Sequence, residues 1–333
     1  MKKAIITGIT GQDGGYLAKL LLSKGYKVFG AQRRNTGKSY WRLDEIGITK
    51  DIEFIDIDLM EPYNIDRALK IYQIDEFYNL AAQSFVHLSF EQPHVTTMVN
   101  SLGVLNILEA IKNNHKKIKF YQASTSEMFG KVQKIPQNEE TSLYPRSPYA
   151  VSKTYSHYLT INYRESYDLH ASSGILFNHE SRFRGEEFVT RKITKGLIEY
   201  LNLGKPIELG NIDSKRDWGH AEDYVKAIWL MTQQEFADDY VIATGKNYSI
   251  REFIRMCLDQ LEIKYREDGS EFFDTKKNKI IIKTNPKFFR PSEVDFLIGD
   301  SSKAKKKLGW SPKLGLEDLI KDMIDADLKR YTK

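Results

Sequence analysis

The chain has 333 residues, 41% hydrophobic and 29% charged, a balance that describes one large or two moderate globular domains and needs no disorder. Its formal net charge is +5, but 50 Lys and Arg are scattered among 45 Asp and Glu, which fits an anionic small molecule and marks out neither a nucleic-acid nor a membrane partner. The single cysteine, Cys257, excludes an internal disulfide and fits a reducing cytoplasm, no apolar run reaches membrane-spanning length, and the seven histidines show no metal-ligand spacing.

The opening "MKKAIITGITG" is similar to a secretory signal only in charge, because its apolar stretch is short and broken by glycine. Apolar runs "KAIITG", "YKVFGAQ", "IEFIDIDL", "EFYNLAA", "IKFYQAS" and "HASSGILFN" read as strands. Between them "GYLAKLLLSKG", "YNIDRALKIYQ", "LGVLNILEAIKNN" and "YAVSKTYSHYLTINYRES" have helical spacing. Strands alternating with helices predict βαβ units and a parallel sheet buried on both faces, a doubly wound α/β fold over residues 1–177. From Asn178 the texture changes to polar loops, short strands and helices, read as a smaller substrate-binding lobe over 178–333. The stretch 215–245, with "GHAEDYVKAIWLMTQ" and "YVIATG", can return to the sheet, so the two parts interleave. Cys257 sits in the helical "REFIRMCLDQL" as a buried structural thiol, and the lysines of "SSKAKKKLGW" read as a solvated helix face.

"TGITGQDG" joins the first predicted strand to the first predicted helix. Gly8, Gly11 and Gly14 permit a tight turn, a close approach of backbone to a pyrophosphate and close helix packing, with Thr7, Thr10, Gln12 and Asp13 around them and the helix N-terminus facing the phosphates. The G-x-x-G-x-x-G spacing resembles the extended short-chain dehydrogenase/reductase superfamily. An acid normally meets the ribose 2′-hydroxyl at the end of the second strand, yet here "FGAQRRN" presents Arg33 and Arg34. Cations there favour a 2′-phosphate, hence NADP over NAD; an arginine pair facing solvent is the structural alternative. Asp58 and Leu59, closing the third strand, would lie near the adenine in this fold, and Leu80, Ala81, Ala82, Gln83 and Ser84 follow the fourth strand where the cofactor backbone passes.

Tyr149 and Lys153 in "YAVSK" are four apart, on one helix face, where an ammonium and a nicotinamide cation would favour the phenolate and let Tyr149 take a hydroxyl proton. Upstream, "QASTSEMFGK" ends a strand with Thr125, a hydroxyl able to hold substrate against the tyrosine, and places Glu127 two residues later. Oxidation alone has no use for that carboxylate. Dehydration does: a base for the proton beside a new carbonyl and an acid for a departing hydroxyl.

The blocks "TGITGQDG", "FYQASTSE", "YPRSPYAVSK", "GILFNHES", "FVTRKI", "KRDWGHAEDYV", "VIATG" and "FRPSEVDFLIGD" follow in order through nearly the whole chain, and together they resemble the GDP-mannose 4,6-dehydratases. The resemblance implies an extended Rossmann fold, retained NADP and conversion of a GDP-activated manno sugar to its 4-keto-6-deoxy product. It assigns Thr125, Glu127 and Tyr149 as the catalytic trio, Lys153 beside the nicotinamide ribose, and His179 and Arg184 to the cofactor side. Ser126, where the related thymidine-diphosphoglucose dehydratases carry a second carboxylate, leaves Glu127 as the acid for water loss. Arg216 and Arg290 would clamp the diphosphate, with Ser84, Asn178, Lys192 and Glu293 as further substrate contacts; each read alone is an ordinary loop residue or salt bridge. The loop with Tyr40 and Trp41 commonly reaches a neighbouring subunit's cofactor in the family, implying a homodimer or homotetramer.

The chain departs from the family at Phe85, where histidine is typical, at Val95, often tyrosine, and at Arg182 and Phe183, typically Pro-Arg. A GDP-manno-heptose in a reshaped pocket is therefore a rival to GDP-mannose. A C4 epimerase or oxidase would leave Glu127 without work, and a silent NADP-binding protein predicts damage to glycines or to the Tyr-Lys pair that are intact here.

Overall fold

A computed structural model describes residues 1–34, 39–114, 116–289 and 296–331. The first half runs β1 (Lys3–Thr7), α1 (Gln12–Ser23), β2 (Lys27–Gln32), α2 (Trp41–Ile46), β3 (Glu53–Asp56), α3 (Pro62–Tyr72), β4 (Glu76–Asn79), α4 (Val86–Glu91), α5 (Pro93–Thr97), α6 (Gly103–Asn114), β5 (Lys119–Thr125), α7 (Pro148–Tyr167) and β6 (Ala171–Leu176). The second continues with β7 (Asn178–Glu180), α8 (Val189–Leu203), β8 (Ile207–Leu209), β9 (Lys215–Arg216), β10 (Trp218–His220), α9 (Ala221–Gln233), β11 (Asp239–Ile242), β12 (Tyr248–Ser249), α10 (Ile250–Gln260), β13 (Tyr265–Asp268), β14 (Glu271–Asp274), β15 (Lys279–Thr284), α11 (Ser302–Leu308) and α12 (Leu316–Tyr331).

Seven strands form one parallel sheet in the order β3-β2-β1-β4-β5-β6-β11. Apolar residues fill both of its faces, which is why strands such as "KAIIT" and "ASSGIL" read as continuous apolar or small runs instead of alternating. One face packs α1 and α9 through Leu17, Leu21, Val225 and Ile228. The other packs α3, α6 and α7 through Ile65, Leu69, Ile107, Ile111 and Tyr163. Strand order reverses between β1 and β4, so the chains leaving their C-terminal ends diverge and open a crevice, the place where open α/β sheets bind ligands.

A separate apolar core joins α8, α10 and α12 to a second sheet of order β13-β14-β15-β8, through Leu197, Tyr200, Phe253, Leu258, Ile282 and Met323. Cys257 is fully buried in it, and burial pushes its thiol pKa up, as suits a structural role. Lys305, Lys306 and Lys307 stand exposed on α11. Among the described residues no helix is long and apolar enough to cross a membrane, and no group of His, Cys, Asp and Glu is arranged to hold a metal.

Candidate active site

The turn after β1 is built by its glycines. Gly8 has φ +68°, and a Cβ on it would come within 3.0 Å of the Leu80 carbonyl carbon and the Ala81 nitrogen. A Cβ on Gly14 would come within 2.3 Å of the Gly8 oxygen, so α1 packs against its own entry turn only as glycine. The Thr7 hydroxyl ties this turn to the end of β4: it donates to Asn79 Oδ1 at 2.7 Å and accepts from the Leu80 and Ala81 N–H groups at 3.1 Å each. Gly11 caps α1 without a side-chain hydrogen bond, which leaves first-turn N–H groups facing the cavity beside it. These features fit a dinucleotide pyrophosphate.

The candidate catalytic side chains come from the end of β5 and the start of α7. Thr125 closes β5 in an extended conformation, and its Oγ1 accepts the Glu127 N–H at 3.2 Å, turning the chain into one 3₁₀ turn over Ser126–Met128. That turn aims Glu127 inward, and it is only 8% exposed. Ser147 caps α7 by accepting from the Ala150 N–H, and Pro148 opens the helix, so the chain's rigid entry places Tyr149 in its first turn and Lys153 one turn on. Burial pushes Tyr149 up to about 12; the Thr125 hydroxyl beside it pulls the other way and the Glu127 charge adds to the rise. Burial pulls Lys153 down to about 8, and its Nζ donates to the Ala123 carbonyl oxygen at 2.9 Å. The two side chains share the site, but the ammonium is bonded to the β5 backbone, and the phenol's acidity here is set by burial, Thr125 and Glu127.

His179, on β7, forms a partly buried pair with Asp13 at the start of α1, Nε2 to Oδ2 2.7 Å, with its Nδ1 at 2.8 Å from the Phe177 oxygen. Burial pulls His179 down, but the Asp13 charge, its hydrogen bond and the Phe177 carbonyl together raise it; burial pushes Asp13 up, and His179 outweighs that to hold it low. Gln12 reinforces the link, donating to the His179 oxygen at 3.1 Å and accepting from Ser181 at 2.8 Å. Arg184 pairs with Glu180 at 3.0 Å and lies over the Phe188 ring at 3.5 Å. Asn178 Oδ1 is buried on the cavity wall without a protein donor among the described residues.

All of this lines one cavity of about 930 Å³ that runs from Arg33 to Phe188. It brings together Thr7, Gly8, Thr10, Gly11, Gln12, Asp13, Gly14, Arg33, Asp58, Leu59, the Leu80 to Ser84 run, Thr125, Glu127, Tyr149, Lys153, Asn178, His179 and Arg184. Arg34 is exposed and does not line it. Lys192 stands off the cavity with its Nζ 3.5 Å from the Phe288 ring, and Arg216 is buried on β9, donating to the Lys215 oxygen at 2.9 Å. Arg290 and Glu293 lie outside the described residues.

Neither of the departures at Arg182 and Phe183 lines the cavity. Arg182 is clamped by Asp322 of α12, Nε to Oδ1 2.7 Å and backbone N–H to Oδ2 3.0 Å, while Phe183 is 3% exposed in the sheet core against Tyr16 and Trp41. Phe85 packs edge-on to Phe188 at 5.9 Å behind the wall, and of the four only Val95 lines the cavity. Sequence reading missed Arg42, Tyr40's wall position, Gln92 and Phe188 as lining residues. An arginine in a short amphipathic helix carries no signal that separates it from a solvated one.

A family model described as GDP-mannose 4,6 dehydratase matches residues 5–323. The chain belongs to that family. GDP-mannose 4,6-dehydratases of Yersinia enterocolitica and Vibrio cholerae are each 48% identical to it, over 99% of this chain and 95% and 94% of theirs. Among solved structures, the dTDP-glucose 4,6-dehydratase of Streptomyces venezuelae with NAD bound has a TM-score of 0.84 at 20% identity, covering 98% of this chain and 97% of that one. At that identity the likeness speaks for the extended Rossmann fold, which the seven-stranded sheet displays.

Proposed function

We propose that this chain is a hydro-lyase that converts GDP-mannose to its GDP-4-keto-6-deoxy sugar, with NADP as a resident cofactor. The observation that carries the reading is one continuous cavity presenting the glycine turn at one end and Thr125, Glu127, Tyr149 and Lys153 at the other. Membership in the family supports the sugar, and the placement of Phe183 in the core and of Arg182 against Asp322, both off the cavity, leaves Val95 as the one departure on its wall.

The dinucleotide would be held by the Gly8–Gly14 turn, Asp58, Leu59 and the Leu80 to Ser84 run, with Arg33 at the 2′ end and Lys153, His179 and Arg184 at the other. NADP, when bound, would supply a hydride store between C4 and C6 of the sugar. Thr125 positions the C4 hydroxyl and Tyr149 takes its proton; a cation brought beside the phenol opposes the burial that raises it. The ketone acidifies C5. Glu127 removes that proton and delivers one to the hydroxyl leaving C6, and Tyr149 returns its own at the end, so no external reductant is consumed. Burial of Glu127, Tyr149 and Lys153 keeps bulk water from these transfers.

Lys192, Arg216, Arg290 and Glu293 are assigned to the nucleotide end of the substrate, on a lobe formed mainly by residues 178–333, with residues 1–177 and a return segment at 215–245 forming the cofactor half. A homodimer or homotetramer and a cytoplasmic location complete the reading. The test is incubation of purified protein with GDP-mannose, and in parallel GDP-manno-heptose, without added cofactor. A product lighter by one water from GDP-mannose is expected. A product lighter by two hydrogens overturns dehydration, and water loss from the heptose alone overturns the sugar.

A further inference from the structure

Arg42 is held in a way that its cationic neighbours are not. On α2, its Nε donates to the Phe183 oxygen at 2.8 Å and its Nη1 to the Thr10 oxygen at 3.2 Å, and the guanidinium lies over the Trp41 ring at 4.4 Å. Both hydrogen bonds go to neutral carbonyls. The surrounding arginines all have carboxylates: Arg330 has Glu45 at 2.7 Å, Arg184 has Glu180 at 3.0 Å, and Arg191 is paired with Asp327. Among the described residues no carboxylate lies within ion-pair distance of Arg42, and burial together with the fields of Arg330, Arg191 and Arg184 pulls its pKa down against a partial offset from Glu187.

A half-buried guanidinium without a counterion is costly unless an anion reaches it. Arg42 borders the main cavity on the stretch that also contains Gln32, Arg33, Tyr40, Thr10 and Gly11. That stretch joins the end of β2, where the ribose 2′ position of a dinucleotide is read, to the turn that holds its phosphates. Two carbonyls already fix the guanidinium plane, so the donors left over are pre-oriented for a forked contact with phosphate oxygens.

We infer that Arg42, acting with Arg33, is the residue that selects the 2′-phosphorylated dinucleotide. This rests on the NADP reading above and deepens it: Arg33 is exposed at the strand end and, like a surface charge, is screened, whereas Arg42 is half-buried and held by two hydrogen bonds.

The test equilibrates the purified full-length chain with mixtures of NADP and NAD and identifies the retained nucleotide by mass spectrometry after gel filtration. Wild type should retain NADP in preference. Arg42→Met should lower the NADP-to-NAD ratio by about 10- to 100-fold, the range for one charge-assisted contact, while NAD retention stays near wild type and reports an intact turn. Equal loss of both nucleotides, the result for a pyrophosphate or purely structural role, overturns the inference, and so does an unchanged ratio in a protein whose wild type prefers NADP. A wild type without preference overturns the NADP reading and this inference together. A second measurement needs no variant: phenylglyoxal labelling of Arg42 in wild type, mapped by peptide mass, should be blocked by 2′,5′-ADP and not by 5′-ADP. Equal protection by both overturns the assignment.

Discussion

The two walls of the cavity are made differently. The sheet-side wall consists of short contiguous segments at the C-terminal ends of β1, β4 and β5 and the start of α7, each braced by its own local bonds: Thr7 to Leu80 and Ala81, Thr125 to Glu127, Ser147 to Ala150. The lobe-side wall gathers separate residues from the end of β6, from β7, from the turn after it and from Phe188 at the entry to α8, and its expected contacts Lys192 and Arg216 stand back from the cavity. On the proposed function, chemistry belongs to the locally braced wall and sugar-nucleotide recognition to the dispersed one. Each variant below tests that division, in order of expected effect.

The largest effect is expected on the rigid wall. Glu127→Gln keeps the side chain's size and removes its proton traffic, so water loss should fall by about 10²- to 10⁴-fold while reduction of the bound nicotinamide on adding GDP-mannose persists. Tyr149→Phe should abolish both signals. Measuring product mass beside nicotinamide absorbance separates the two, and an E127Q enzyme with unchanged product formation would defeat the role given to Glu127.

On the dispersed wall the expected change is in affinity. Arg216→Met should raise KM by roughly tenfold, the worth of one charged contact with a diphosphate, with kcat altered far less. If kcat falls as much as kcat/KM, Arg216 acts on the reacting end and the division between walls fails.

This contrast also explains what could be read from sequence. The glycine turn, the Tyr149–Lys153 pair and the Thr125–Glu127 turn are legible because a strand-to-helix connection forces the needed residues into one short segment. Arg42 is not, since its partners Thr10 and Phe183 are 32 and 141 residues away. Arg182 and Phe183 drew notice as departures from the family pattern that could reshape the sugar pocket, but the chain turns after β7 and sends them to α12 and the sheet core. Proximity in sequence predicts proximity in space only within one element. The π-turn over Met98–Leu102 had no sequence signal; its Asn100 bonds the Gln83 backbone at both ends, N–H to Oδ1 2.9 Å and Nδ2 to the carbonyl 3.0 Å, which fixes the cofactor-side run from a distant helix.

A smaller effect, on stability, follows from Lys153. Burial lowers its pKa to about 8 from an ordinary 10.5, so the folded state disfavours the charged form. Below about 8 the group is protonated in both states and the folded protein carries the whole penalty; between 8 and 10.5 the unfolded chain binds more protons, and stability rises with pH. Lys153→Met should therefore be more stable than wild type at neutral pH, by up to about 3 kcal/mol for a shift of this size, with an advantage that shrinks as pH climbs toward 10.5. Denaturant midpoints across that range check it; a constant difference would mean that packing, not charge, separates the two proteins.

The smallest expected effect comes from the bond that ties the two walls together. His179 is raised by Asp13 despite its burial, so its contribution is full below its ordinary value of 6.5 and is lost as pH rises through the higher folded value. Asp13, held low, contributes above its ordinary 3.8 and loses that only as pH falls through the lower folded value. The pair is worth most in mildly acidic solution. Asp13→Asn should cost most stability there and converge on wild type in alkaline solution, where His179 is neutral in both. Because the pair joins α1 to β7, its loss should also loosen the Asn178–Arg184 segment, read as faster amide exchange there than in the Thr125–Glu127 turn. Equal loosening of both segments would show that the walls move as one body, and that rigidity does not distinguish the catalytic side from the recognition side.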